Sequence, residues 1–370
     1  MNPVKRNILL NPGPATTSDG VKNALVVPDI CPREKEFGDL MDRIRAGLTR
    51  VVHSGDEYKT VLFAGSGTAA MEAAMCSIPA PDKKVLIHVN GAYGRRFQEI
   101  ASVYGLNVVA WTQDYGAYPD PGELEKLLAE NPQIDSAFFV HHETTTGMLN
   151  PIAECARLAG KRGVKVIVDA MSSYAGIPLD VKELGIDFLI SSSNKCIQGM
   201  AGLSFVICRK TSLALLPRYR RSYYLDLGGQ DDYFEKTRQM QFTPPVQVCY
   251  ALEKALQEYE RETGPGRSKR YADNWETLYE GLRKIGFRFL LPRKQESGIL
   301  LAVLEPEDPA YDFEAMHDYL YGQGFTIYPG KGARESAFRL AILGDLTPED
   351  VRNFLTALEN YIKEAGITKF

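Results

Sequence analysis

Lys195 stands in the stretch SSSNKCIQG, residues 191–199, among small and uncharged polar side chains with no acid beside it. Such a lysine is either a solvated turn residue, the ordinary fate of lysines, or an amine kept neutral so that it can attack a carbonyl. Four other junctions bear on the choice. FAGSGTAAMEAAM passes from an apolar run into a helical pattern through Gly65, Ser66, Gly67 and Thr68. Glycine permits the sharp turn, and open amides at a helix start suit an anion. A dinucleotide loop would want a third glycine where Ala70 stands, and the GK[ST] of a Walker loop is absent, so a compact phosphate ester fits best. VNGAYGRRF places Tyr93 at a second strand-to-helix turn, where it either packs in the loop or stacks on a flat ring. HHETTTGMLNP offers three hydroxyls, Thr144 to Thr146, for ordinary turn chemistry or for a ligand. VKVIVDAMSSYAG ends a β-branched run on Asp169, a carboxylate that is costly to bury unless something cationic meets it.

One ligand answers all of these groups. Pyridoxal 5′-phosphate has a phosphate for Ser66, Gly67 and Thr68, a ring for Tyr93, a basic nitrogen for Asp169 and an aldehyde for Lys195. Asp169 would keep the ring nitrogen protonated, so that the ring accepts the electrons left when a carbon loses its proton. Lys195 would carry that proton, its pKa lowered by a pocket hostile to cations. The missing acid partner is then explained, because the amine must be neutral to react.

The elements that must position these groups are legible as alternation. Between residues 59 and 209, β-rich runs occur at KTVLFAG, KKVLIHV, LNVVAWT, SAFFVHH, VKVIVDA, DFLISSS and LSFVICR, with helical spacing between several of them. This order predicts an α/β fold, a mostly parallel sheet covered by helices on both faces. Ligands of such sheets gather at the carboxyl ends of the strands, where the singled-out groups lie. Further on come two long amphipathic helical patterns, PPVQVCYALEKALQEYERETG and SKRYADNWETLYEGLRKIG. Short strands at FRFLLP, ILLAVLE, FTIYP and FRLAIL follow, with a helix around FEAMHDYLYGQG and a last helix from Pro348 to Glu364. Thr347, Pro348 and Asp350 form the start signal of that last helix. The expected division is a large cofactor-binding α/β domain, 15–259, and a smaller α+β domain, 260–370 with 1–14.

Composition excludes several classes. Lys and Arg number 43 against 47 Asp and Glu, a formal net charge of −4, which gives no reason to expect nucleic acid or an anionic membrane as partner. No apolar stretch reaches the ~18 residues of a membrane span, and the N-terminal apolar run is too short for a secretory signal. Six cysteines are scattered without CxxC spacing, and no HExxH pattern is present. Reduced thiols, no metal and a cytoplasmic location are expected.

The segments LLNPGPATTS, GSGTAAMEA, NGAYG, HETTTGMLNPI, VDAMSSYAGIPLD, ISSSNKCIQG and IYPGKGARESAFRL together resemble those of the class V, fold type I pyridoxal-phosphate aminotransferases, over nearly the whole chain. Within that family the likeness is greatest to members that exchange an amino group between 2-aminoethylphosphonate and pyruvate. The resemblance implies that Lys195 carries the cofactor, Asp169 partners its ring nitrogen and Tyr93 stacks on it. It also implies a phosphate cup of Ser66, Gly67, Thr68 and Asn194, with Thr144 bonded to the ring. Thr243, in QFTPPV, would reach the cofactor of a neighbouring subunit, giving a homodimer with shared active sites. Arg339 would clamp the carboxylate of the keto acid, and Thr16, Thr17 and Arg33 would border the substrate. The rivals are an alanine–glyoxylate or serine–pyruvate aminotransferase, a cysteine desulfurase-like lyase and, from another class, a nicotinamide-dependent oxidoreductase.

Overall fold

A computed structural model describes residues 7–216, 219–329 and 336–370 of the 370. Residues 330–335 of IYPGKGARESAFRL, and residues 1–6 of the segment expected to join the smaller domain, lie outside it. All seven β-rich runs between 59 and 209 enter one sheet. In spatial order the strands are Tyr58–Ala64, Leu203–Arg209, Phe188–Ser192, Lys165–Asp169, Ile134–Val140, Lys84–Val89 and Asn107–Thr112. Leu203–Arg209 runs antiparallel to both of its neighbours, and every other pairing is parallel. Six strands therefore point the same way and deliver their carboxyl ends to one edge.

Alternate side chains of these strands go to opposite faces, and both faces are buried except along the edge strand Asn107–Thr112, of which only Trp111 is buried. Leu62, Leu86, Phe139, Val168, Leu189 and Phe205 belong to one core, which continues through Leu300, Leu301 and Phe338 to Phe354. Val61, Phe63, Ile87, Phe138, Ile167, Ile190 and Val206 belong to a second core, under helices Gly67–Ser77 and Ala92–Val103. Burial on both faces is why the runs read as continuously apolar rather than alternating.

Beyond the sheet, helices Val246–Glu262 and Gly264–Ile285 are joined at Thr263, and a three-stranded antiparallel sheet follows, with Ala337–Ala341 between Leu300–Leu304 and Tyr328–Pro329. The last helix occupies Pro348–Glu364, with the expected capping box between Thr347 and Asp350. FRFLLP does not become a strand. It forms a single bridge, Phe289 to Val303, and Pro292 has no N–H with which to extend it. FTIYP divides in two because it serves two partners: Phe325–Thr326 pairs with Ile8–Leu9, and Tyr328–Pro329 pairs with the strand of Arg339. Helices Lys35–Arg50 and Leu227–Thr237 were not expected from the sequence.

Candidate active site

The carboxyl ends of the sheet strands enclose a cavity of about 200 Å³ lined by Ser66, Gly67, Thr68, Tyr93, Thr144, Asp169, Asn194 and Lys195. Five separate strand ends supply them, as the topology requires. Ser66 is the N-cap of helix Gly67–Ser77, yet its hydroxyl makes no capping bond, so hydroxyl and helix-start amides face the cavity unspent. Arg96, one turn into the next helix, adds a cation: its Nη1 lies 3.4 Å from Thr68 Oγ1 and its guanidinium 4.8 Å from the Tyr93 ring centre. A hydroxyl, open amides and a guanidinium together make an anion cradle.

Asp169 is 2 % exposed, and its Oδ1 accepts the Met171 N–H at 2.8 Å. Oδ2 has no partner among the described residues. Burial pushes this carboxyl up to about 7, against the Met171 N–H, which favours the charged form. A buried, half-satisfied carboxylate calls for a donor or a cation. The protonated ring nitrogen of pyridoxal 5′-phosphate is such a group, and the residues present fit it. Thr144 Oγ1 and His142 Nε2 are likewise buried in this wall without partners. His142 donates to or accepts from Ser172 Oγ at 2.9 Å through Nδ1, and burial pulls its pKa down to about 3, so the ring is neutral.

Lys195 follows the strand Phe188–Ser192, and burial pushes its amine down to about 8, with the Arg339 cation acting in the same direction. The amine donates to the Pro12 carbonyl. LNPGP thus lies over the lysine, and the Asn194 carbonyl accepts the Ala15 N–H at 3.0 Å, tying the same segment down. Lys195 is paired with a carbonyl and not an acid, as its neighbours in sequence suggested.

The remaining expected residues do not line the cavity. Arg339 is near it and 4 % exposed, on the strand Ala337–Ala341; its Nη2 donates to the Pro329 carbonyl at 3.2 Å, and Nε has no partner among the described residues. Burial lowers its pKa, and the nearby Tyr93, Tyr115 and Glu143 favour the cation. Thr16 is buried and its hydroxyl accepts the Leu9 N–H at 2.9 Å, while the carbonyl of Thr17 accepts from Lys22 Nζ at 2.8 Å. Arg33 is exposed and forms no pair with the acids around it; it donates to the carbonyls of Met240 and Gln241 at 2.8 and 3.4 Å. Thr243, two residues on, is exposed.

Sequence reasoning missed Arg96, His142, Met171 and Ser172 in the cavity wall. Arg96 had a signal, since it follows Tyr93 by three residues on one helix face. His142 and Met171 had only the weaker one of lying next to strand ends.

The class-V aminotransferase profile matches residues 21–327. The 2-aminoethylphosphonate–pyruvate transaminase of Vibrio cholerae serotype O1 is 40 % identical over 358 residues, 96 % of this chain and 97 % of that one. The protein of the same name from Salmonella typhimurium is 42 % identical over 354 residues, 95 % and 96 % of the two chains. Among solved structures, the alanine–glyoxylate aminotransferase of Nostoc sp. superposes with a TM-score of 0.89 at 27 % identity, covering 97 % of this chain and 96 % of that one. With the expected sheet, the cavity at its carboxyl edge and relatives matched from end to end, the chain belongs to the class-V aminotransferases.

Proposed function

We propose that this chain moves the amino group of 2-aminoethylphosphonate to pyruvate, with pyridoxal 5′-phosphate as cofactor, giving phosphonoacetaldehyde and L-alanine in two half-reactions. The observation that carries the reading is the meeting, in one cavity, of a buried carboxyl with an unpartnered oxygen and a buried lysine whose pKa is lowered to about 8. The names of the full-length relatives support the substrates.

When bound, the cofactor supplies a carbonyl that an amine can join and a protonated ring that accepts an electron pair. The chain does the rest. Ser66, Gly67 and Thr68, with Asn194 and Arg96, would hold the phosphate. Tyr93 would stack on the ring, Thr144 would bond to it, and Asp169 Oδ2 would accept the ring N–H. Lys195 Nζ, a base because burial has lowered its pKa, takes a proton from the amine-bearing carbon of 2-aminoethylphosphonate, and in the second half-reaction gives one to the central carbon of pyruvate. Arg339 pairs in turn with the phosphonate of the first substrate and the carboxylate of the second, since a guanidinium fork matches both.

We place Thr243 against the cofactor phosphate of a second subunit. Arg33 fastens the N-terminal segment beside it, with Thr16 and Thr17 at the substrate border. Among the described residues no helix is long and apolar enough to cross a membrane. All six cysteines are unpaired, which supports a reducing setting such as the cytoplasm.

The test is to mix the purified holoenzyme with 2-aminoethylphosphonate alone and follow the cofactor spectrum. Complete conversion to the aminated form, reversed by pyruvate, is expected. Inertness alongside conversion by alanine would move the chain to the alanine–glyoxylate or serine–pyruvate type.

A further inference from the structure

Helix Ala92–Val103 starts without a capping side chain, because its N-cap is Gly91. A helix start leaves its first amides open, and an N-cap oxygen ordinarily fills one of them. Here the acceptor arrives from 50 residues further along the chain: Glu143 Oε2 accepts the Tyr93 N–H at 3.2 Å. Glu143 Oε1 accepts the N–H and the hydroxyl of Thr145 at 3.1 and 2.6 Å, and that hydroxyl in turn accepts the Ala92 N–H at 3.4 Å. A Cβ at Gly91 would collide with the Glu143 carboxyl and come 2.6 Å from Thr145 Oγ1. The carboxylate therefore stands where a capping side chain would, and only glycine leaves it room.

Glu143 is fully buried and does not line the cavity. Its neighbours do: His142 and Thr144 precede and follow it, and the helix it caps presents Tyr93 in its first turn and Arg96 just after it. One carboxylate thus joins the loop after the strand Ile134–Val140 to the helix after Lys84–Val89. We propose that Glu143 is a positioning residue, which fixes the Tyr93 ring and the Arg96 guanidinium against the cofactor's ring and phosphate. This rests on the pyridoxal-phosphate reading above. A purely structural cap would hold the helix together without setting the depth of the ring; the Glu143 linkage does both.

The experiment titrates wild-type apoenzyme, Glu143→Gln and Thr145→Val with pyridoxamine 5′-phosphate, following the quenching of protein fluorescence. It also records the visible circular dichroism of each protein loaded with pyridoxal 5′-phosphate and the thermal unfolding of each apo form. Glutamine keeps the size of Glu143 but turns an N–H group toward donors, so about tenfold weaker binding and a reduced dichroic signal are expected. Thr145→Val leaves the carboxylate and removes the hydroxyl it shares, and about threefold weaker binding is expected. A lower unfolding temperature with unchanged affinity and unchanged dichroism in the glutamine variant would overturn the proposal. Should that variant fail to fold, wild-type affinity and dichroism in Thr145→Val would overturn it equally. Failure of wild-type apoenzyme to bind pyridoxamine 5′-phosphate would instead break the cofactor reading, whatever the variants do.

Discussion

Burial acts on Asp169 and Lys195 in opposite directions and leaves both near neutrality, one pushed up to about 7 and the other down to about 8. For Asp169 this has a thermodynamic consequence. Below its unfolded value of ~4, the folded and unfolded apoprotein are equally protonated at this carboxyl. As pH rises from there to about 7, the unfolded chain gives up the proton and the folded one keeps it, so stability falls, and above 7 the deficit is constant. Asp169→Asn removes the deficit. Urea unfolding of the apo variant should show a gain over wild type that is small near pH 5 and on the order of 2–4 kcal/mol at pH 8. An equal margin at both values would mean that the carboxyl is not the titrating group. The variant should also lose transamination, having no carboxylate for the ring nitrogen. Residues such as Asp169 and Lys195 were legible because an ionisable group at the end of an apolar run is conspicuous. Glu143 was not, because its importance comes from a meeting with the Tyr93 N–H across 50 residues that no local pattern records.

At the scale of elements, seven strands and the principal helices of the tail could be read because apolar periodicity is dictated by burial, and these elements are buried on one or both faces. The failures share a cause. FRFLLP and FTIYP have strand composition, but a strand needs a partner, and their partners are Val303 alone for one and two different segments for the other. The same dependence on partners governs the N-terminal segment. Thr16 pairs with Gly344, which has a φ of 119° and lies so close that a Cβ there would come 2.6 Å from the Thr16 backbone nitrogen and oxygen. Gly344→Ala should therefore destabilise by about 2 kcal/mol or more, the combined effect of an unfavourable φ and a backbone clash. Denaturant unfolding measures this, and a change within ±0.5 kcal/mol would show that the segment can shift to make room.

For the whole molecule, the exposed Thr243 and the exposed aromatic side chains of Tyr219 and Tyr223 are the features that a second subunit would explain. With a shared active site, Lys195→Ala and Thr243→Asp disable different subunits' contributions to one cavity. Mixed and refolded together, the two inactive proteins should recover roughly a quarter of wild-type activity, since half of a two-fold-symmetric population then carries one intact site of two. No recovery would show that each cavity is completed within its own chain. The large sheet has a consequence for biogenesis as well. Its first strand, Tyr58–Ala64, is paired only with its last, Leu203–Arg209, and Gly65 donates to the carbonyl of Gly202, beside the phosphate-holding turn. A nascent chain emerging from the ribosome consequently has no finished cradle until residue 209 is free to fold. Vitamin B6 capture then reports that the longest-range strand pairing in this sheet has closed.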